Sequence, residues 1–217
     1  MRFPMNTPYT AQDIEILVRE VLDTANDDLV LPIVQLGHPV LRQQAEAYDH
    51  QLPQELLEEL LDAMRQTMYD APGVGLAAPQ VGIPLQIAVL EDLYPVPEEI
   101  AAQREREPLD YFEIFNPAYA AATDREAVFY EGCLSFEGFQ GVVTRPADIT
   151  ANYQDRDGQK ITRNFSGWQA RIFQHETDHL SGTVYIDKAV TRSLINESEL
   201  WRHESMDVAT AQKVLKF

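Results

Sequence analysis

The stretch "SGWQARIFQHETDHLSG", residues 166 to 182, constrains this chain more than any other. Ser166 and Gln169 have the spacing of a capping box, and Gly182 stands where a helix stop is expected, so the segment is predicted to be one helix. Ile172, Phe173 and Leu180 supply its apolar side. His175 and His179, four positions apart, then share a helix face and can hold one metal ion. Glu176 lies beside them, placed to take a proton from an activated water without itself being a ligand. The alternative is a surface helix that carries these polar residues by accident.

A second stretch, "GVGLAAPQVG", residues 73 to 82, opens like a dinucleotide fingerprint. That fingerprint needs a buried strand running in and a helix running out. Here a helix runs in. "LPQELLEELLDAMRQTMYDA" spaces Leu56, Leu57, Leu60, Leu61, Met64 and Met68 at helical intervals, with Pro53 at the first helical position. Downstream, Pro79 blocks a regular helix, and "PLQIAVLE" reads as a strand with Leu85, Ile87 and Val89 on one side. The segment is therefore expected to be an irregular loop that ends by presenting the amide of Gln80.

Composition limits the functional classes. At 217 residues and 45% hydrophobic, the chain fits one globular domain with room for a core and a pocket. A net charge of -18 opposes nonspecific binding to nucleic acid or anionic membrane. Cys133 is the only cysteine, so no intrachain disulfide can form and a reducing compartment is the simplest setting. No apolar run is long enough to span a bilayer, and the acidic N-terminal stretch lacks the apolar core of a secretory signal. These features predict a cytoplasmic protein.

Residues 1–30 read as an acidic amphipathic extension with Ile14, Leu17, Val18, Val21 and Leu22 as its apolar face. A catalytic domain is expected over 31–195, beginning at "LPIVQLGHPVLR", and a helical tail over 196–217. Strands are predicted near 85–90, 112–115, 127–130, 147–154 and 159–165, with a polar insertion between the first two. Asp157-Gly158 signals a hairpin between the last two. The fold class expected is α+β, with antiparallel or mixed sheets packed around the central helix that carries H-E-x-x-H.

Two histidines make an incomplete site, because catalytic zinc-type centres usually take three protein ligands and keep one position open. "EGCLS", residues 131 to 135, offers Cys133 at the end of a predicted strand; an ordinary packing thiol is the other reading. Zinc endopeptidases with H-E-x-x-H instead draw a glutamate from a later helix, and "INESEL" supplies Glu197 and Glu199 for that role. A non-enzymatic protein, metal-free or with a purely structural metal, that only binds peptide N-termini is the remaining alternative.

"GVGLAAPQVG", "EGCLS" and "QHETDH", in that order, resemble the three signature motifs of peptide deformylase, which removes the formyl group from the initiator methionine of nascent polypeptides. The resemblance covers about residues 31 to 195, and "GWQARIFQHETDHLSGTVYIDK" is similar to the branch that includes plant and some bacterial members. It implies that Cys133, His175 and His179 ligate one divalent ion and that Glu176 is the general base. It also implies that Gln80 and the Leu134 N–H stabilise the oxyanion. The family usually works with ferrous iron (Fe2+), and the donors also suit Zn2+, Ni2+ or Co2+. Gly73 and Gly75 would let the loop approach the substrate peptide, and Val74, Phe129, Trp168, Arg171 and Ile172 are candidates for the methionine pocket.

The chain departs from many relatives at Glu137, where proline is common, and at Gln140, where arginine is common. Arg171 replaces an apolar residue one turn before His175, and would either shape the pocket or pair with an acid. The expected partners are N-formyl-methionyl nascent peptides, with no nucleic acid and no membrane. Ribosome docking, known in some relatives, is not implied here, because the tail is short of basic charge.

Overall fold

In the computed structural model, which describes residues 9–202 and 207–217, the glycine loop and the histidine helix meet at the centre of two antiparallel sheets. Helix α1 (Ala11–Leu22) starts on a capping box made by Thr10 and Asp13. Its Ile14, Leu17, Val18 and Val21 are buried and Leu22 half-buried, in one core with α2 (Gln54–Asp70). The apolar face expected for α1 is therefore the one that packs. Pro53 is the residue that caps α2, one place before the helix rather than inside it. Residues 1–8, the start of the expected extension, lie outside the described residues.

The first sheet runs in the order β1 (Gly75–Ala77), β2 (Ile87–Asp92), β3 (Leu109–Ala121), β6 (Asp148–Gln154), β7 (Lys160–Ser166). The second pairs β4 (Glu126–Cys133), β5 (Phe136–Pro146) and the short β8 (Ile195–Asn196). Each expected strand is present, with β3 much longer than its four-residue apolar run. The hairpin at Asp157-Gly158 joins β6 to β7 as expected. Three strands were not expected, the short β8 among them. β1 forms inside the glycine loop by pairing with β2, and β5 forms from "FEGFQGVVTRP" by pairing with β4 along nearly its whole length. The polar insertion contributes an exposed helix, α3 (Glu98–Arg104).

Helix α4 (Gly167–Leu180) packs against β1, β2, β3 and β7 and also touches β5, so it is the central helix. The capping box expected at its start does not form. Ser166 is the N-cap residue, but its side chain makes no capping bond and instead interacts with Asp148 on the paired strand. Sheet pairing of β7 with β6 has taken the hydroxyl that the helix would have used. At the other end the stop is as expected: Gly182 has φ +74°, and a Cβ there would lie 2.9 Å from the Arg42 backbone. The tail is helical over α5 (Val208–Leu215), preceded by a 3-10 turn over Glu197–Arg202. No helix among the described residues is long and apolar enough to cross a membrane.

Candidate active site

Three elements converge. α4 presents His175 and His179 from one face, one turn apart, with ring centroids 5.0 Å apart. β4 ends on Cys133, which pairs in register with Phe136 across a two-residue turn, so Leu134 and Ser135 form the tip of the β4–β5 hairpin. The ligand atoms of Cys133, His175 and His179 all lie within 4.8 Å of one another. Cys133 Sγ is 3.3 Å from His179 Nε2.

Among the described residues this is the one group of three or more His, Cys, Asp or Glu side chains close enough to hold a metal. Glu197 and Glu199 are not in it. Glu197 is engaged with the Gln140 amide at 3.4 Å, so the endopeptidase arrangement is not assembled.

The third element is the glycine loop. After β1 the chain turns through a 3-10 turn over Ala78–Val81, which Pro79 suits and a longer helix would not allow. Gln80 is buried there. Its Oε1 accepts a hydrogen bond from the Ala77 N–H at 2.8 Å, which directs Nε2 towards Cys133 Sγ, 3.7 Å away. The loop thus holds a side-chain amide donor beside the sulfur.

The donor set fits a metal on its own geometry. His175 Nδ1 is 3.1 Å from Glu131 Oε2, which leaves Nε2 as the free donor. One thiol and two imidazoles suit a borderline-soft divalent ion. Glu176, 4% exposed, has a buried Oε2 with no hydrogen-bond partner in the protein. Burial pushes its carboxyl up to about 7, the range in which a carboxylate can both take and return a proton near neutral pH.

Sequence reasoning missed the supports of this centre. Glu131 receives a bidentate pair of bonds from Arg145, at 2.6 and 2.9 Å, and a further bond from Arg171 Nη1. Burial alone would raise the Glu131 carboxyl, but Arg145 and then His175 outweigh it and hold it well below the usual carboxylate range. Arg145 continues to Asp178 at 2.7 Å, and Asp178 takes Lys188 and Tyr119. One partial signal was available: Glu131 lies two residues before Cys133, which regular alternation would put on one face, although the β4 register shifts between them.

The pocket candidates are placed less uniformly. Phe129 and Trp168 meet edge to face at 6.2 Å, and Val74 and Trp168 border the core cluster that contains Ile172. Ile172 is 3% exposed among Phe173 and Phe165, a core position. Of the two roles open to Arg171, pairing with an acid is the one found. Its guanidinium bonds Glu131 and the Val143 and Ala127 carbonyls, and stacks at 5.3 Å over Phe129. Gln140 turns to Glu197, and the exposed Glu137 gives its N–H to Gln35 Oε1.

The family model for polypeptide deformylase matches residues 30–194. The chain belongs to the peptide deformylase family. It is 48% identical over 197 residues to peptide deformylase 3 of Streptomyces avermitilis, covering 89% of this chain and 87% of that one. It is 49% identical over 183 residues to the peptide deformylase of Bifidobacterium adolescentis, covering 84% of each. Among solved structures, the Met-Ala-Ser-bound class I type b peptide deformylase of Acinetobacter baumannii superposes with a TM-score of 0.66. It is 30% identical and covers 74% of this chain and 99% of that one. Peptide deformylases are metal-dependent hydrolases that remove the N-formyl group from the initiator methionine of nascent peptides, and this chain is such an enzyme.

Proposed function

We propose that deformylation in this chain is carried by Glu176, Gln80 and the Leu134 N–H around one divalent ion on Cys133, His175 and His179. The observation that carries this reading is the meeting of Gln80 Nε2 with Cys133 Sγ, 3.7 Å apart, where β4 and α4 bring the three donor side chains together. An ion held there, ferrous iron by preference with zinc, nickel or cobalt as substitutes, supplies Lewis-acid activation of water and of the formyl oxygen.

The rest is done by side chains and backbone. Glu176 takes a proton from the attacking water as its oxygen adds to the formyl carbon. Negative charge grows on the formyl oxygen, where the Gln80 amide and the Leu134 N–H donate hydrogen bonds; one such donor is worth about 3 kcal/mol. Glu176 then gives the proton to the departing amine nitrogen as the C–N bond breaks, releasing formate and a free methionine N-terminus. Glu131, anchored by Arg145 and Arg171, fixes the His175 ring. Val74, Phe129 and Trp168 line the methionine side chain, and Gly75, expected to make room for the substrate, instead leaves room for the Glu176 carboxylate. The enzyme acts in the cytoplasm on N-formyl-methionyl nascent peptides.

Metal analysis and formate release from formyl-Met-Ala-Ser, measured on the same preparation, test this reading. About one equivalent of metal per chain, with activity lost on chelation and regained on adding Fe2+, is expected. Full activity in metal-free protein would overturn it.

A further inference from the structure

The segment Val34–Leu36 touches both loops that carry the oxyanion donors. It leads into a turn closed by the His38 N–H on the Gln35 carbonyl at 3.0 Å, and its side chains alternate in exposure. Val34 and Leu36 pack in the apolar cluster that includes Cys133 and Phe136, while Gln35 points outward. The Val34 N–H donates to the Gln80 carbonyl at 2.9 Å, and the Leu36 N–H donates to the Ser135 carbonyl at 2.7 Å. Between them, Gln35 Nε2 donates to the Leu134 carbonyl at 2.9 Å, and its Oε1 accepts the Glu137 N–H at 3.3 Å. Three consecutive residues therefore hold the backbone of Gln80 and both residues at the tip of the β4–β5 hairpin.

We propose that Val34–Leu36 is a tie that sets the separation and orientation of the Gln80 amide and the Leu134 N–H, with Gln35 as a positioning residue for deformylation. This rests on the oxyanion reading of those two donors. A two-residue hairpin tip is bonded by its neighbours only at its base, so its peptide planes can rock. Here the carbonyls of both tip residues are captured from outside, which fixes the two peptide planes that follow the Leu134 Cα and so limits rotation about the Leu134 backbone that would re-aim its N–H. Preplaced donors help most when they need no reorganisation as charge develops. Gln35 does this by spanning Leu134 to Glu137 with one rigid amide. Its side-chain hydrogen bonds go to the Leu134 carbonyl and the Glu137 N–H and not to the donor atoms or the candidate metal ligands, and a loss at this position would be felt in the transition state rather than in substrate binding.

The test compares Gln35→Met, which keeps length and loses both bonds, with Gln35→Glu. The latter can still accept from Glu137 but sets a carboxylate against the Leu134 carbonyl. With formyl-Met-Ala-Ser as substrate, both variants should lose about 3- to 10-fold in kcat, the range of one or two ordinary hydrogen bonds, with KM within about twofold. Metal content and melting temperature should match the parent. Unchanged kcat in both, or a loss that tracks metal content or melting, overturns the tie.

Gln80→Leu, run alongside, separates the two ideas. If it lowers kcat by about 100-fold while the Gln35 variants do nothing, the tie alone fails. If Gln80→Leu leaves kcat unchanged, the oxyanion reading fails and the tie between donors falls with it.

Discussion

A Cβ placed on Gly75 would lie 2.4 Å from Glu176 Oε1. The glycine loop and the H-E-x-x-H helix are in van der Waals contact there, and the carboxylate occupies the space a side chain would need. Gly75→Ala must therefore displace Glu176, since Gly75 is buried in β1 and cannot easily yield. We expect this variant to keep its metal and lose at least about 100-fold in kcat. Parent-like turnover would show that Glu176 can move without cost.

Glu176→Gln should also retain the metal, because Cys133, His175 and His179 are untouched, and should lose about 100-fold or more in turnover. Metal content and formate release from one preparation check this. A variant with more than about a tenth of parental activity would remove Glu176 from the proton-transfer role.

Cys133→Ala should lose metal affinity and activity together, whereas Glu197→Gln should leave both within about twofold, since Glu197 faces Gln140. Cobalt-loaded parent should show a thiolate-to-metal band in the near ultraviolet that Cys133→Ala lacks. Absence of that band from the parent would exclude sulfur ligation.

Ile14 is 1% exposed in the core shared by α1 and α2. Ile14→Ala should cost about 2–5 kcal/mol of unfolding free energy, read from urea denaturation. A cost under about 0.5 kcal/mol would mean that α1 is peripheral to folding.

Acid should weaken one surface link in a defined direction. Arg125 bonds Asp148 at 2.9 Å and Glu105 at 2.7 Å, and it is the largest cause holding both carboxyls below their usual range. Folded pKa values below the unfolded ones mean that stability is present above about pH 4 to 5 and is lost as pH falls through the folded values. Melting temperature should drop less steeply between about pH 5 and pH 2 in Arg125→Gln than in the parent. Parallel acid limbs would mean that the link contributes nothing.

The local geometry of the centre was legible in the sequence. A four-residue spacing on a helix puts His175 and His179 on one face whatever surrounds them, and Asp157-Gly158 specifies its own turn, because both are settled by bonds within a few residues. That Cys133 and the Gln80 amide meet the histidines was legible only through resemblance, since nothing along the chain links residues 80, 133 and 175. Tertiary structure decided the rest. β5 contains Gly138 and Gly141 and ends on Pro146, residues that favour strands poorly, and becomes a strand because β4 lies beside it. Ser166 gives up its cap to Asp148, Glu131 finds His175 from 44 positions away, and Val34–Leu36 reaches two loops at once. Each is set by sheet register and by which elements pack against α4, and neither can be read from a pattern that extends only one helical turn or one strand along the chain.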